Sequence, residues 1–464
     1  MAGLLSRIRG ARRGESSASA EYGKRAGFLA IGVGLTGLIT YAYFLVASHA
    51  LDATDYGQIT VLWSAVFITI STLYRPVEQL LSRHISAHRV RAEPIAGAMR
   101  VAATIQLGLG VAFAVLALAL RGPIQDGLLE GNETLYWVFF GAVLFYAASY
   151  FARGFLAGDG RFGLFTALIL SESVFRTLFA VLVAAGLMSG QSVVSIGIVA
   201  APSLSLLVVP AALLRRHRAE AAAAGAGGGE SISIKEGSGF AAAVFLVMLS
   251  EQAFLNAGPI ILRALDGAAA AGFIFNVLMI ARAPLQLFQA VSTSILPHLT
   301  GLHTAGDAES EREFHRSVRG VLLGVAAFAA FTAVVVLIDG PRLMQLAFSD
   351  KFEYDRAGLL LVTLGMGLYL SSVTLNQACI AQGQVRRAAA RWVLCAALFV
   401  AWTFVPAIED EFRRVEVGFA LAAGVLCSLL FAIYRRPRVR AEDIPRAGSP
   451  EELEARLASI DESV

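Results

Sequence analysis

The chain has 464 residues, of which 56% are apolar and 16% charged, with 38 Lys and Arg against 35 Asp and Glu for a net charge of +3. A soluble protein carries about 25% charged residues, and no soluble fold hides this much apolar surface. The apolar residues fall in blocks long enough for an α-helix to cross about 30 Å of hydrocarbon, so the solvent is a lipid bilayer and no nucleic-acid partner is expected.

A basic tail, residues 1–26, carries Arg7, Arg9, Arg12, Arg13, Lys24 and Arg25. The first apolar block, 27 to 49, is too long for the core of a signal peptide and lies behind this polar tail, so it reads as an uncleaved signal anchor. Further spans follow at 57 to 82, 98 to 120, 134 to 153, 163 to 187 and 191 to 214. Residues 215–238 form a hydrophilic stretch that includes AEAAAAGAGGGES, a flexible low-complexity linker. Six more spans follow, at 239 to 262, 270 to 296, 317 to 338, 357 to 380, 391 to 408 and 416 to 434. The expected fold is an all-α integral membrane protein of about twelve transmembrane helices, in two six-helix lobes at 27–214 and 239–434.

Orientation follows from basic residues, because short loops rich in Lys and Arg stay cytoplasmic. The first tail, alternate loops (Arg83, Arg89, Arg91 and Arg100; Arg153 and Arg161; Arg215, Arg216, Arg218 and Lys235; Arg312, Arg316 and Arg319; Arg386 and Arg387) and the tail 435–464 carry the bulk of them. The opposite loops hold only Arg121, Arg263, Arg342, Lys351, Arg356, Arg413 and Arg414. Both termini are therefore placed in the cytoplasm, in a multi-pass protein of the plasma membrane. Within the last tail, Ser449, Pro450 and Glu452 form a helix-opening signature, and Leu453, Leu457 and Ile460 share a face, which predicts a short amphipathic helix.

Sites of covalent chemistry are not indicated. Cys379, Cys395 and Cys427 lie inside spans, where packing is their role. The lysines, Lys24, Lys235 and Lys351, never stand in a glycine-rich phosphate loop. His84 and His88 sit among Arg83, Arg89 and Arg91, whose charge repels a metal ion. No catalytic residues, metal ligands or cofactors are assigned. Gly158-Asp159-Gly160 reads as a tight turn between helices. The sequon at Asn132 matters only in a secretory pathway that glycosylates it.

The two halves echo each other. LDATDYGQITVLW from Leu51 and LDGAAAAGFIFNVL from Leu265 share a Leu-Asp turn and a glycine at the opening of a helix, Gly57 and Gly272. FLAGDGRF, from Phe155, has a looser counterpart in CIAQGQVRR, from Cys379. Two lobes of one orientation, loosely joined, meet the mechanical need of alternating access.

The segments ARGFLAGDGRFGLFTALILSE (152 to 172), AAGFIFNVLMIARAPLQLF (270 to 288), ILPHL (295 to 299) and QACIAQGQVRRA (377 to 388) resemble polysaccharide flippases of the O-antigen type, in the multidrug, oligosaccharidyl-lipid and polysaccharide (MOP) exporter superfamily. The resemblance implies a V-shaped, MATE-like pair of bundles around a cavity for a polyprenyl-diphosphate-linked oligosaccharide, turned from the cytoplasmic to the outer leaflet. Polysaccharide-assembly proteins are then partners to look for. A small-molecule or drug exporter of the same fold is the alternative. A membrane-embedded polymerase or glycosyltransferase is a further one, disfavoured because the longest outer loop, 339 to 356, is short.

Charges inside the spans are the site candidates, since an ionisable group at the bilayer centre costs about 2.5–3.5 kcal/mol on insertion scales and must face protein or a wet cavity. They are Arg75 and Glu78 on the second span, Glu172 and Arg176 on the fifth, Glu251 on the seventh and Arg282 on the eighth. The arginines suit a diphosphate and the glutamates a coupling ion. The same six also suit structural pairing: Arg75 with Glu78, Glu172 with Arg176 at the i, i+4 spacing, and Glu251 with Arg282 on adjacent helices. Asn256, Asn376 and Gln377, with Asn276, have the chemistry to bond sugar hydroxyls or neighbouring helices. Pro284 predicts a kink in the eighth span.

Overall fold

A computed structural model describes residues 31–90, 94–208, 234–280, 308–352 and 354–435. Among them every regular element is helical. In chain order these are α1 (Ile31–Ala50), α2 (Ala53–Leu73), α3 (Arg75–Val90), α4 (Ala96–Ala119), α5 (Glu133–Gly158), α6 (Phe162–Ala184) and α7 (Gln191–Ser205), then α8 (Ile234–Asp266), α9 (Ala268–Ile280), α10 (Ala308–Phe348), α11 (Arg356–Ala381), α12 (Val385–Thr403) and α13 (Glu411–Arg435). Nine crossing segments among the described residues are long and apolar enough to span a membrane, with α2 and α3 counted as one; α7 and α9 are shorter apolar helices. Residues 219–231 of the linker, Arg282, Pro284 and the C-terminal helix expected at 449–460 lie outside the described residues, and α8 begins inside the expected linker, at Ile234.

The helices begin and end where local chemistry dictates. Asp52, Asn132 and Asp355 cap α2, α5 and α11, their side chains accepting from the backbone N–H of Asp55 (2.8 Å), Leu135 (3.1 Å) and Gly358 (3.2 Å). α2 gives way to α3 at Tyr74, next to Pro76, whose ring removes a donor from the ladder. α10 is longer than the span 317 to 338, because a charged turn precedes the apolar stretch and, beyond a non-helical Asp339, a further segment follows it.

Both echoes have structural counterparts. α5 ends with Gly160 at φ +68° and the Arg161 N–H donating to Leu156 O at 2.9 Å, and α11 ends with Gly383 at φ +73° and the Gln384 N–H donating to Cys379 O at 2.8 Å. Each is the six-residue closure of a helix C-terminus around a left-handed glycine. At the other end of the helices, Gly57 and Gly272 face each other. A Cβ built on Gly272 would lie 3.2 Å from Gly57 Cα, and one on Gly57 would overlap the Ala268 carbonyl.

Packing divides the helices into two sets. α2 to α7 pack among themselves, with α1 hydrogen-bonded to α6 and α7, as do α8 and α10 to α13, with α9 against α8 and α13, and the broad joint between the sets is α2 against α8. The ends of the molecule differ in charge. One carries Arg83, Arg161 and Arg386 and is called the basic end below; the other carries the turns at Asp52, Glu130, Gly267 and Asp355 and is called the far end. Contacts between the sets gather at the far end and thin to a few residues where α3 meets α8.

Candidate functional site

Arg75, Glu78, Arg153, Glu172 and Arg176 lie on the first set of helices, and Glu251 lies on α8 of the second. Glu172, on α6, takes its partner from a different helix than the i, i+4 spacing suggests. Its Oε2 accepts from Arg153 Nη2 at 2.6 Å and from Ser149 Oγ at 3.2 Å, both on α5. The side chains of Arg153 and Glu172 are only 15% and 6% exposed, so this is a buried, charge-assisted pair. Arg153, read from the sequence as a loop residue, lies within α5, and its guanidinium also rests over the Tyr150 ring at 4.7 Å.

Arg176 is thereby left without a carboxylate among the described residues. The expected Glu172–Arg176 pair does not form, because α6 turns Glu172 toward α5 and Arg176 toward α1 and α2. Arg176 is 3% exposed. Its Nη2 donates to Thr40 Oγ1 at 2.8 Å and its Nη1 to the Tyr146 hydroxyl at 3.4 Å, while its Nε has no partner. Its guanidinium sits 4.4 Å from the centre of the Trp63 ring and 5.7 Å from that of Tyr43. A guanidinium has five N–H donors, and here neutral hydroxyls and ring faces occupy only part of that capacity.

Arg75 and Glu78 do not close into an ion pair either. Arg75 stands half-buried at the start of α3, and its charge is felt by Glu78 on its own helix and by Glu251 on α8. Glu78 is also within reach of the charges of Arg153 and Glu172. The charge neighbour of Glu251 among the described residues is therefore Arg75, across the joint between the sets, and its expected partner Arg282 lies outside them. Three guanidiniums, those of Arg75, Arg153 and Arg176, and three carboxylates, those of Glu78, Glu172 and Glu251, form one connected electrostatic cluster, walled by Tyr43, Trp63, Tyr146 and Tyr150.

The uncharged candidates lie elsewhere. Asn256 donates to Gln252 Oε1 at 2.9 Å on α8. Asn376 and Gln377 sit on α11, which packs within the second set, and the side-chain oxygens Asn376 Oδ1 and Gln377 Oε1 have no protein donor. Asn276 is a helix-to-helix connector, accepting from the Tyr56 hydroxyl and donating to the Tyr354 hydroxyl at 2.9 Å. A separate cavity of about 300 Å³ at the far end is lined by Phe273, Tyr354, Asp355, Asp410, Phe412 and Arg413. Asp355 and Asp410 there cap helices, and Arg413 hydrogen-bonds Asp355 and pairs with Glu416 at 3.2 Å. Asp355 precedes the membrane-spanning part of α11, and the Arg413 guanidinium holds its carboxyl below the ordinary aspartate value. No group of three or more metal-ligating side chains occurs among the described residues.

No protein-family model and no curated protein matches the chain. Solved structures do. An inward-facing conformation of a multidrug resistance MATE family transporter of the MOP superfamily aligns with a TM-score of 0.63 at 13% identity, covering 88% of this chain and 97% of that one. A MOP superfamily transporter from Pyrococcus furiosus, whose binding pocket is described as having reverse polarity that suggests a different function, aligns with a TM-score of 0.61 at 13% identity over 89% and 95% of the two chains. The Vibrio cholerae MATE transporter VcmN in its bent form gives 0.54 at 17% identity over 90% and 97%. The chain thus has the fold of a multi-pass membrane transporter. Within that class the fold is the MOP type seen in MATE proteins.

Proposed function

We propose that the protein is a flippase that turns a polyprenyl-diphosphate-linked oligosaccharide from the cytoplasmic to the outer leaflet by alternating access. The basic end then faces the cytoplasm of a cell bounded by this plasma membrane, with both termini on that side. The observation that carries the reading is the uneven use of the arginines. Of the three guanidiniums in the cluster, Arg75, Arg153 and Arg176, only Arg153 pairs with a carboxylate among the described residues. Arg75 stands at the joint between the sets, and Arg176 is held by hydroxyls and aromatic faces. A guanidinium with spare donors matches the oxygens of a diphosphate in a bidentate fork, and in this reading Glu78 and Glu251, beside Arg75, handle the coupling ion.

The test measures membrane protein abundance and surface polysaccharide together. Arg75→Ala, Arg176→Ala and Arg282→Ala should abolish export while protein still accumulates, and the Arg→Lys variants should keep only part of it, since an ammonium lacks the fork. Normal export in every arginine variant would overturn the diphosphate reading. Loss of resistance to small organic compounds in place of lost polysaccharide would assign the chain to drug export.

A further inference from the structure

Contacts between the two helix sets are of several kinds, and they lie together. On the first set the elements are the end of α1, the opening of α2 and the turn before α5. On the second they are the end of α8, all of α9 and the turn between α10 and α11. Backbone meets backbone where Gly57 opposes Ala268 and Gly272, with no room for a side chain. Beside it, Asn276 ties Tyr56 of the first set to Tyr354 of the second. Lys351 Nζ donates to the Leu51 carbonyl at 2.7 Å. Glu130 Oε1 lies 3.7 Å from Arg263 Nη2, while Glu130 Oε2 accepts from Gln58 Nε2 at 2.5 Å, so one carboxylate links α2 and α8. Rings close the layer beneath, with Phe44 4.5 Å from Phe275 and Tyr41 5.5 Å from Phe348 between ring centres.

Apart from the Asn276–Tyr354 bond within the second set and the Gln58–Glu130 bond within the first, these contacts join residues of opposite sets and would have to break if the far end opened. The polar members are also unusual in their cost. Asn276 is fully buried and its Oδ1 accepts from the Tyr56 hydroxyl across the joint, so separating the sets without water entry would strand the Tyr56 donor and the Asn276 acceptor. Glu130 holds a left-handed backbone, φ +54°, which a non-glycine residue adopts only when its surroundings enforce it.

We propose that these residues form the far-end gate of the transport cycle: a glycine-on-backbone seam at Gly57 and Gly272, locked by the Tyr56–Asn276–Tyr354 bridge and by the Glu130–Arg263 pair. The gate sets the balance between the conformation described here, closed at the far end, and one open there. A side chain at Gly57 acts as a wedge, and reversal of charge at Glu130 removes the lock without touching the seam. The gate rests on the alternating-access reading above.

Its test is a pair of distances in the full-length protein in lipid, in a background with Cys379, Cys395 and Cys427 replaced. Spin labels on Asp126→Cys and Glu409→Cys read the far end, and labels on Gly163→Cys and Arg386→Cys read the basic end. Adding Gly57→Val should lengthen the first distance by about 5 Å or more, the scale of a one-turn shift between packed elements, and shorten the second. Glu130→Arg should act in the same direction, and Glu130→Arg with Arg263→Glu should return both distances to their starting values. Unchanged far-end distances in both Gly57→Val and Glu130→Arg would overturn the gate, as would failure of the charge exchange to restore them. The Glu130 variants decide the matter where Gly57→Val does not fold. These distances do not depend on what is carried, so a failed polysaccharide assay leaves the gate standing and a failed distance shift leaves the substrate assignment untouched.

Discussion

Replacing Arg153 by methionine separates an arginine held by a carboxylate from one held by hydroxyls and rings. In the native protein the Arg153–Glu172 pair has a 2.6 Å bond and little exposure on either side. Removing the guanidinium leaves the Glu172 carboxylate with only the neutral hydroxyls of Ser149, at 3.2 Å, and Tyr146 from α5. Breaking a buried pair in this way costs about 3–5 kcal/mol, in line with about 4 kcal/mol for two unit charges 4 Å apart at an effective dielectric of about 20. Since about 1.4 kcal/mol is a factor of ten, the ratio of folded to unfolded protein should fall about a hundredfold or more. Arg176→Met strands no carboxylate and forfeits mainly its ring and hydroxyl contacts, of which the cation–π part is about 0.5–2 kcal/mol. Size-exclusion chromatography of detergent-solubilised protein after graded heating, with membrane abundance alongside, measures both. Arg153→Met should be much the less stable, and adding Glu172→Gln should recover most of the loss. Equal stability of Arg153→Met and the native chain, or a double variant no better than the single one, would refute the pairing.

Other outcomes follow from the same geometry. Gly160→Ala and Gly383→Ala should each destabilise by roughly 1–2 kcal/mol, because both glycines hold the left-handed conformation that closes a helix, and thermal midpoints of the two variants should fall by similar amounts. Asp355 should contribute stability at neutral pH that is lost in acid: its carboxyl is held below the ordinary value by Arg413, so the contribution is present above about pH 4 and disappears as pH falls through the lowered value. The gap in midpoint between the native chain and Asp355→Asn should therefore narrow on acidification, and a constant gap would contradict it. A cysteine at Asp126 should react with a membrane-impermeant thiol reagent in intact cells, whereas one at Gly163 should react only after permeabilisation; the reverse pattern would invert the proposed orientation.

The spans were legible because hydropathy over a helix length is a sum, and a sum tolerates local irregularity. The turn at Gly160 and its echo at Gly383 were legible for a different reason, since only glycine takes that backbone conformation cheaply. What the sequence concealed was the choice of partners. Helical periodicity relates Glu172 to Arg176 on one helix, but whether they pair depends on how α6 is rotated against α5 and α1, and that is set by packing. Arg153 was hidden because a charge near the end of an apolar block looks like the beginning of a loop. The echo of Gly57 in Gly272 was visible as a repeat, yet nothing in one strip of sequence says that the repeated positions touch.

The position of Trp63 over the Arg176 guanidinium gives the molecule a built-in optical signal. The chain has four tryptophans, and of these Trp63 has the Arg176 cation 4.4 Å from its ring centre. A positive charge so placed shifts the indole emission, so anything that draws the guanidinium away changes the colour of the light. With the other three tryptophans replaced by phenylalanine, the protein would report the state of its buried arginine in an ordinary fluorimeter without a label.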